Sequence, residues 1–158
     1  MILSGTGVPA TLFFEDLTPG RQFDLGVVVI DRDDMIAYAE RFDPQWYHVD
    51  VAAAEASEFG GVIASGFYTI SLFMRAYVDH VLSRAAAAAS PGLEELRWRA
   101  PVYAGDKIAI RLDVLDSALS AAKPGLGTVT LAATMTRVGD GREVLRTQFR
   151  GWFHKRPE

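Results

Sequence analysis

Residues 65–87 read SGFYTISLFMRAYVDHVLSRAAA. Phe67, Ile70, Met74, Tyr77/Val78, Val81 and Ala85 step by three or four, which predicts one long helix from about Ser65 to Ala87. Leu72 and Phe73 place apolar groups on other faces of the first half, whereas Arg75, Asp79, His80, Ser83 and Arg84 make the second half polar. A helix apolar almost all round at one end has to be mostly enclosed by other structure. The alanine run Ala85–Ala89 and Ser90-Pro91-Gly92 are expected to end it.

The flanking sequence says what encloses it. On the C-terminal side, Ile108, Ile110, Leu112 and Val114 alternate with Lys107, Arg111 and Asp113. Val129, Leu131, Ala133 and Met135 alternate with threonines, the pattern of half-buried antiparallel strands. Gly139-Asp140-Gly141 reads as a hairpin turn into a last strand, about Glu143–His154. Leu93–Val102 is expected to be a further strand, ending at Pro101. On the N-terminal side, Gln22–Ile30 reads as a first strand. Asp31 can cap an amphipathic helix over Arg32–Phe42, stopped at Asp43 by Pro44. Asp50 can cap a second short helix, VAAAEAS. A flat sheet open to water on one face cannot enclose such a helix, so the sheet must curl about it. The fold class is therefore α+β, a curled antiparallel sheet wrapped around one central helix.

The 158 residues fit one domain spanning 1–158, with residues 1–12 an irregular lead-in. Cysteine is absent, which excludes a disulfide framework, cysteine-ligated metals and a thiol nucleophile. Three histidines, His48, His80 and His154, are too few for a histidine-rich metal site, so no metal is expected. The formal charge of -4 argues against a nucleic-acid-binding surface. The N-terminus lacks a basic leader region, and the longest apolar stretch, Val62 to Met74, falls short of the roughly 20 residues a membrane span needs. A cytoplasmic protein with no membrane partner is the expectation.

No phosphate-cradling glycine loop and no H-E-x-x-H occurs, and Ser65 stands in I-A-S-G rather than a nucleophile elbow. What remains is Phe42-Asp43-Pro44-Gln45-Trp46-Tyr47-His48-Val49-Asp50, followed by Phe59-Gly60-Gly61-Val62-Ile63-Ala64-Ser65-Gly66. A carboxylate and an imidazole five residues apart, on an expected irregular loop, can converge on one water or one carbon acid. Gly66, opening the long helix, leaves an N–H free at the positive dipole end, where it suits an oxygen gaining charge. By spacing alone the pair is weak: a D-x-x-x-x-H arises by chance in about one such chain in five. Asp50 serves more simply as a helix cap, and Trp46 and Tyr47 suit core, pocket wall or partner surface equally.

The whole string carries more than the spacing. It closely resembles the MaoC-like dehydratases, the hotdog-fold family that contains the (R)-specific enoyl-CoA hydratases. Their pattern of Asp, four residues, His, x-Asp, an alanine-rich short helix and a helix-opening Gly reads here as Asp43…His48-Val49-Asp50, Ala52–Ala56 and Ile63-Ala64-Ser65-Gly66. Arg99-Ala100-Pro101-Val102-Tyr103-Ala104-Gly105-Asp106 resembles the family's strand-turn-strand motif. The resemblance implies a hotdog fold and a hydro-lyase interconverting a 2-enoyl-CoA and a 3-hydroxyacyl-CoA. In it Asp43 and His48 are the catalytic acid–base pair and the Gly66 N–H polarises the thioester carbonyl. Ser65, Trp46 and Tyr47 are expected substrate contacts, with Trp46, Tyr47, Phe67 and Tyr68 crowding the pocket toward a short or branched acyl group. It further implies no cofactor beyond the CoA thioester substrate, and a homodimer whose two hotdogs complete each pocket. Two other readings keep the fold and change the activity. One is an acyl-CoA thioesterase, the other a non-catalytic acyl-CoA-binding or partner module. The sequence departs from the family where Gln45-Trp46 replaces the usual Asn-Pro, and where Met74 falls at a position that can carry a polar Ser.

Overall fold

The computed structural model describes residues 1–158. In chain order the elements are β1 (Gln22–Val29), α1 (Arg32–Phe42), α2 (Trp46–Val49), α3 (Val51–Glu55), α4 (Gly66–Tyr77), β2 (Ala87–Trp98), β3 (Lys107–Leu119), β4 (Leu126–Arg137) and β5 (Glu143–His154). The five strands form one antiparallel sheet in the order β1-β3-β4-β5-β2. The sheet curls around α4, giving the hotdog fold in an α+β chain.

The period-2 strands behave as their pattern requires. Ile110 pairs with Met135, Leu112 with Ala133 and Val114 with Leu131, and all six side chains are buried. Their inner faces meet Phe73 and Tyr77 of α4, whose rings pack on Phe149 of β5. Asp31 caps α1 by accepting the Asp34 N–H at 2.8 Å, and Asp50 caps α3 through the Ala53 N–H at 3.0 Å. Gly141 closes the β4–β5 turn at φ +70°, a conformation that favours glycine.

The central helix is shorter than its periodicity predicts. Regular α-helix ends at Tyr77 and continues as a wider π turn over Val78–Leu82. The alanines do not prolong or terminate a helix. Ala87 and Ala89 pair with Phe153 and Trp152, and so open β2. Alanine is the best helix former, but a neighbouring strand edge that needs partners overrides a propensity of a few tenths of a kcal/mol per residue. Pro91 and Gly92 are carried inside β2 because it is an edge strand whose register shifts between Ala89 and Gly92. The expected strand Leu93–Val102 is thus displaced toward the N-terminus, ending at Trp98. Enclosure of α4 is one-sided: Tyr68, Thr69, Phe73 and Tyr77 are buried, while Phe67 and Met74 are 57% and 47% exposed.

Residues 1–12 are largely irregular but docked. The Gly5 N–H donates to the Leu82 carbonyl, and Leu12 pairs with Ala85 in a single bridge. No helix is long and apolar enough to cross a membrane.

Leu112 has no exposed surface and sits between Phe23 on β1 and Ala133 on β4. Leu112→Ala is expected to destabilise the fold by about 2–5 kcal/mol, from lost burial plus the cavity left behind. In urea titrations this should appear as a lower midpoint at an unchanged slope.

Candidate active site

Pro44 ends α1 where expected, and Asp43 leaves the helix with φ −151° and ψ 64°. The next segment is helical where the sequence predicts an irregular loop. The His48 N–H donates to the Gln45 carbonyl, so Trp46–Val49 forms one helical turn, α2. That turn points His48 inward, where the residue is 6% exposed.

The stretch Val62–Gly66 runs beside α2 and is tied to it twice. The Ile63 N–H donates to the Tyr47 carbonyl at 3.1 Å, and the Ile63 carbonyl lies 2.7 Å from His48 Nδ1. A carbonyl can only accept, so the hydrogen sits on Nδ1 and Nε2 is the ring nitrogen left for chemistry. His48 Nε2 faces Asp43 Oδ2 at 3.3 Å. Two acceptors would repel there, so the geometry suits a pair that holds one proton between them.

Asp43 is held from both sides. Ser65 Oγ donates to Oδ2 at 2.7 Å and Gln45 Nε2 donates to Oδ1 at 2.7 Å. The Tyr47 hydroxyl in turn donates to Gln45 Oε1, which fixes the way the amide faces. Burial by itself would raise the Asp43 carboxyl, but the bonds from Ser65 and Gln45 and the charge of His48 outweigh it and hold it below the ordinary carboxylate range.

Asp43, Gln45 and His48 open onto a cleft of about 440 Å³ whose other walls include Gly66, Phe67 and Trp98. The Gly66 N–H has no acceptor in the structure, as expected for the first residue of α4. A Cβ at this position would overlap the Trp98 indole, so any residue larger than glycine would force that ring to move. A carboxylate, an imidazole and a free helix-end amide around one cleft can move protons on a carbonyl compound while holding its oxygen. No group of three or more His, Cys, Asp or Glu side chains is placed to hold a metal ion.

The remaining expected contacts sit elsewhere. Ser65 is fully buried and its hydroxyl is committed to Asp43, so it positions the carboxylate instead of lining the cleft. Trp46 and Tyr47 also lie off the cleft, packed with Phe59 at centroid distances of 6.2 and 5.6 Å. Their turn directs His48 inward and therefore turns its neighbours the other way. Tyr68 is buried with its hydroxyl on Asp34, so Phe67 alone of the four crowding aromatics reaches the cleft. Sequence reasoning misses Gln45, whose only signal is its place two residues after Asp43, and Trp98, distant in sequence from the motif.

The sequence profile of the MaoC-like domain family matches residues 15–136. The chain belongs to the MaoC-like domain family. A crystal structure of a MaoC-like dehydratase from Rhodospirillum rubrum superposes with a TM-score of 0.85 at 33% identity, covering 94% of this chain and all of that one. The uncharacterized protein YdeM of Bacillus subtilis is 28% identical over 118 residues, 75% of this chain and 84% of its own length. The R-hydratase PhaJ1 of Pseudomonas aeruginosa shares the fold, with a TM-score of 0.75 at 21% identity over 92% of this chain and 87% of that one.

Removing the Ser65 hydroxyl tests the carboxylate cradle. A lowered folded-state pKa stabilises the fold above the unfolded carboxyl's ordinary value, and that contribution is lost as pH falls through the folded value. Ser65→Ala is expected to raise the Asp43 titration midpoint, read by carbon NMR of the side-chain carboxyl. Asp43's share of acid resistance should correspondingly disappear at a higher pH than in the parent.

Proposed function

We propose that this MaoC-like domain is a hydro-lyase that interconverts a 2-enoyl-CoA and a 3-hydroxyacyl-CoA. The observation that carries the reading is the Asp43–His48 pair at 3.3 Å, opening onto the same cleft as the free Gly66 N–H. Family membership supports it, as does the shared fold of proteins described as dehydratases and R-hydratases.

In the forward direction Asp43 and His48 hold a water. As its oxygen bonds to C3, the pair takes one proton from the water and returns one to C2. Hydrogen and hydroxyl are thus added across the double bond, and the pair ends as it began. Electron density moves transiently onto the thioester oxygen, which the Gly66 N–H holds. His48 suits the relay because its Nδ1 is anchored on Ile63, which leaves Nε2, facing Asp43, to exchange the proton. The cycle calls on no cofactor, since both protons come from water and the pair.

The working unit is proposed to be a homodimer. β2 is an edge strand exposed along most of its length, and the neighbouring face of α4 leaves Phe67 and Met74 uncovered. A second copy laid along that edge would satisfy free backbone groups and bury those side chains. Sedimentation velocity should give twice the chain mass; a monomer with full turnover would rule the dimer out.

Asp43→Asn and His48→Gln are each expected to slow hydration of a short trans-2-enoyl-CoA by about 100-fold or more, the contribution of a positioned acid–base group. Product analysis by double-bond absorbance should show loss of hydration with no release of free thiol. Thiol release by the parent, with the double bond intact, would instead support a thioesterase.

A further inference from the structure

Trp98 ends β2 and lines the cleft that holds Asp43 and His48. Its indole meets Phe67 edge-on, with ring centroids 5.4 Å apart, and lies where a side chain on residue 66 would begin. The atoms that a Gly66 Cβ would strike are Trp98 Cε2, Nε1 and Cδ1, the edge of the ring that bears the nitrogen. In an α-helix the Cα–Cβ bond leans toward the N-terminus, the direction in which the free N–H groups of the first turn also point. The indole nitrogen therefore stands at the mouth of α4, beside the amide that the proposed reaction uses.

Both donors are unspent. Neither the Gly66 N–H nor the Trp98 Nε1–H has an acceptor within the chain, and Trp98 is 46% exposed and lines the cleft. An indole N–H can only donate. A ring that served as a wall would need no nitrogen, and the steric demand for glycine at 66 would be the same beside a phenyl group.

We propose that Trp98 Nε1–H is the second donor to the thioester oxygen, pairing with the Gly66 N–H to hold the charge that develops there. The inference rests on the hydro-lyase reading and deepens it by completing the oxyanion site. No bond to Trp98 forms or breaks. As the water oxygen adds to C3, the electron pair of the double bond is displaced toward the thioester oxygen, where both N–H groups strengthen their hydrogen bonds. Protonation at C2 then returns that pair to carbon.

Trp98→Phe keeps a ring against Gly66 and removes the donor. Its kcat on a short trans-2-enoyl-CoA is expected to fall by about 100-fold, as for loss of one oxyanion donor, with KM changed by less than about threefold. A second readout does not depend on turnover. In the parent, the infrared stretch of a carbon-13-labelled carbonyl in bound butyryl-CoA should lie below its solution frequency, and in Trp98→Phe it should move back toward it. Equal kcat and an equal stretch in the two proteins would overturn the proposal while leaving the hydro-lyase reading intact. A slowed Trp98→Phe with an unshifted stretch would also overturn it, since the ring would then act by packing alone. A parent that shows the lowered, Trp98-dependent stretch yet hydrates no enoyl thioester would uphold the donor and remove the hydro-lyase reading.

Discussion

The site depends on one short run, the extended Val62–Ser65 and the Gly66 that opens α4, wedged between α2 and the chain that follows β2. The Ala64 N–H donates to the Val102 carbonyl at 2.8 Å, and Ile63 pairs with Tyr103, which fastens the stretch on one side. On the other side Ile63 bonds both the backbone of Tyr47 and the ring of His48. Ser65 then reaches Asp43, and Gly66 starts the central helix. Five consecutive residues thus orient the imidazole, cradle the carboxylate and present the free amide. Because each of these roles falls to a different atom of the same rigid run, the three groups cannot drift independently. Preorganisation of that kind lets weak individual hydrogen bonds act together on a reacting molecule.

The electrostatics of the cleft follow from this arrangement. Partial burial disfavours an ionised carboxyl, and Asp43 stays low because two donors and an adjacent imidazole are aimed at it. Gln45 matters here in a way its residue type alone does not convey. Its amide is turned by the Tyr47 hydroxyl, so an aromatic residue pointing away from the cleft still sets which atom Asp43 meets. Gln45, one of the residues at which this chain departs from the family's usual pattern, thus places an amide beside the acid. In the helix turn that follows, Trp46 faces Phe59 and not the cleft.

Much of the fold was legible in local sequence. The strands β3, β4 and β5 follow period-2 burial, α1 ends where Pro44 forbids more helix, and Asp31 and Asp50 cap as their positions imply. These features depend on neighbours within a few residues, so pattern reading reaches them. The alanine run was not legible in the same way. Its helix propensity is real, but the edge of β5 offers Ala87 and Ala89 backbone partners that the chain around them cannot reveal. The site divides likewise: Asp43, His48 and Gly66 stand out by motif, whereas the duties of Ser65, Gln45 and Trp98 arise from contacts across space.

The alternation, the capping and the D-x-x-x-x-H motif with its helix-opening glycine are written in the chain, because each is a relation between residues close together in it. Only the assembled fold sets where the regular α-helix gives way to a π turn after Tyr77, turns Ser65 onto Asp43 instead of the cleft, and lays Trp98 on Gly66. The last two outcomes join residues from separate elements, far apart in the chain. Such contacts depend on how the whole sheet curls, and no local pattern carries that information.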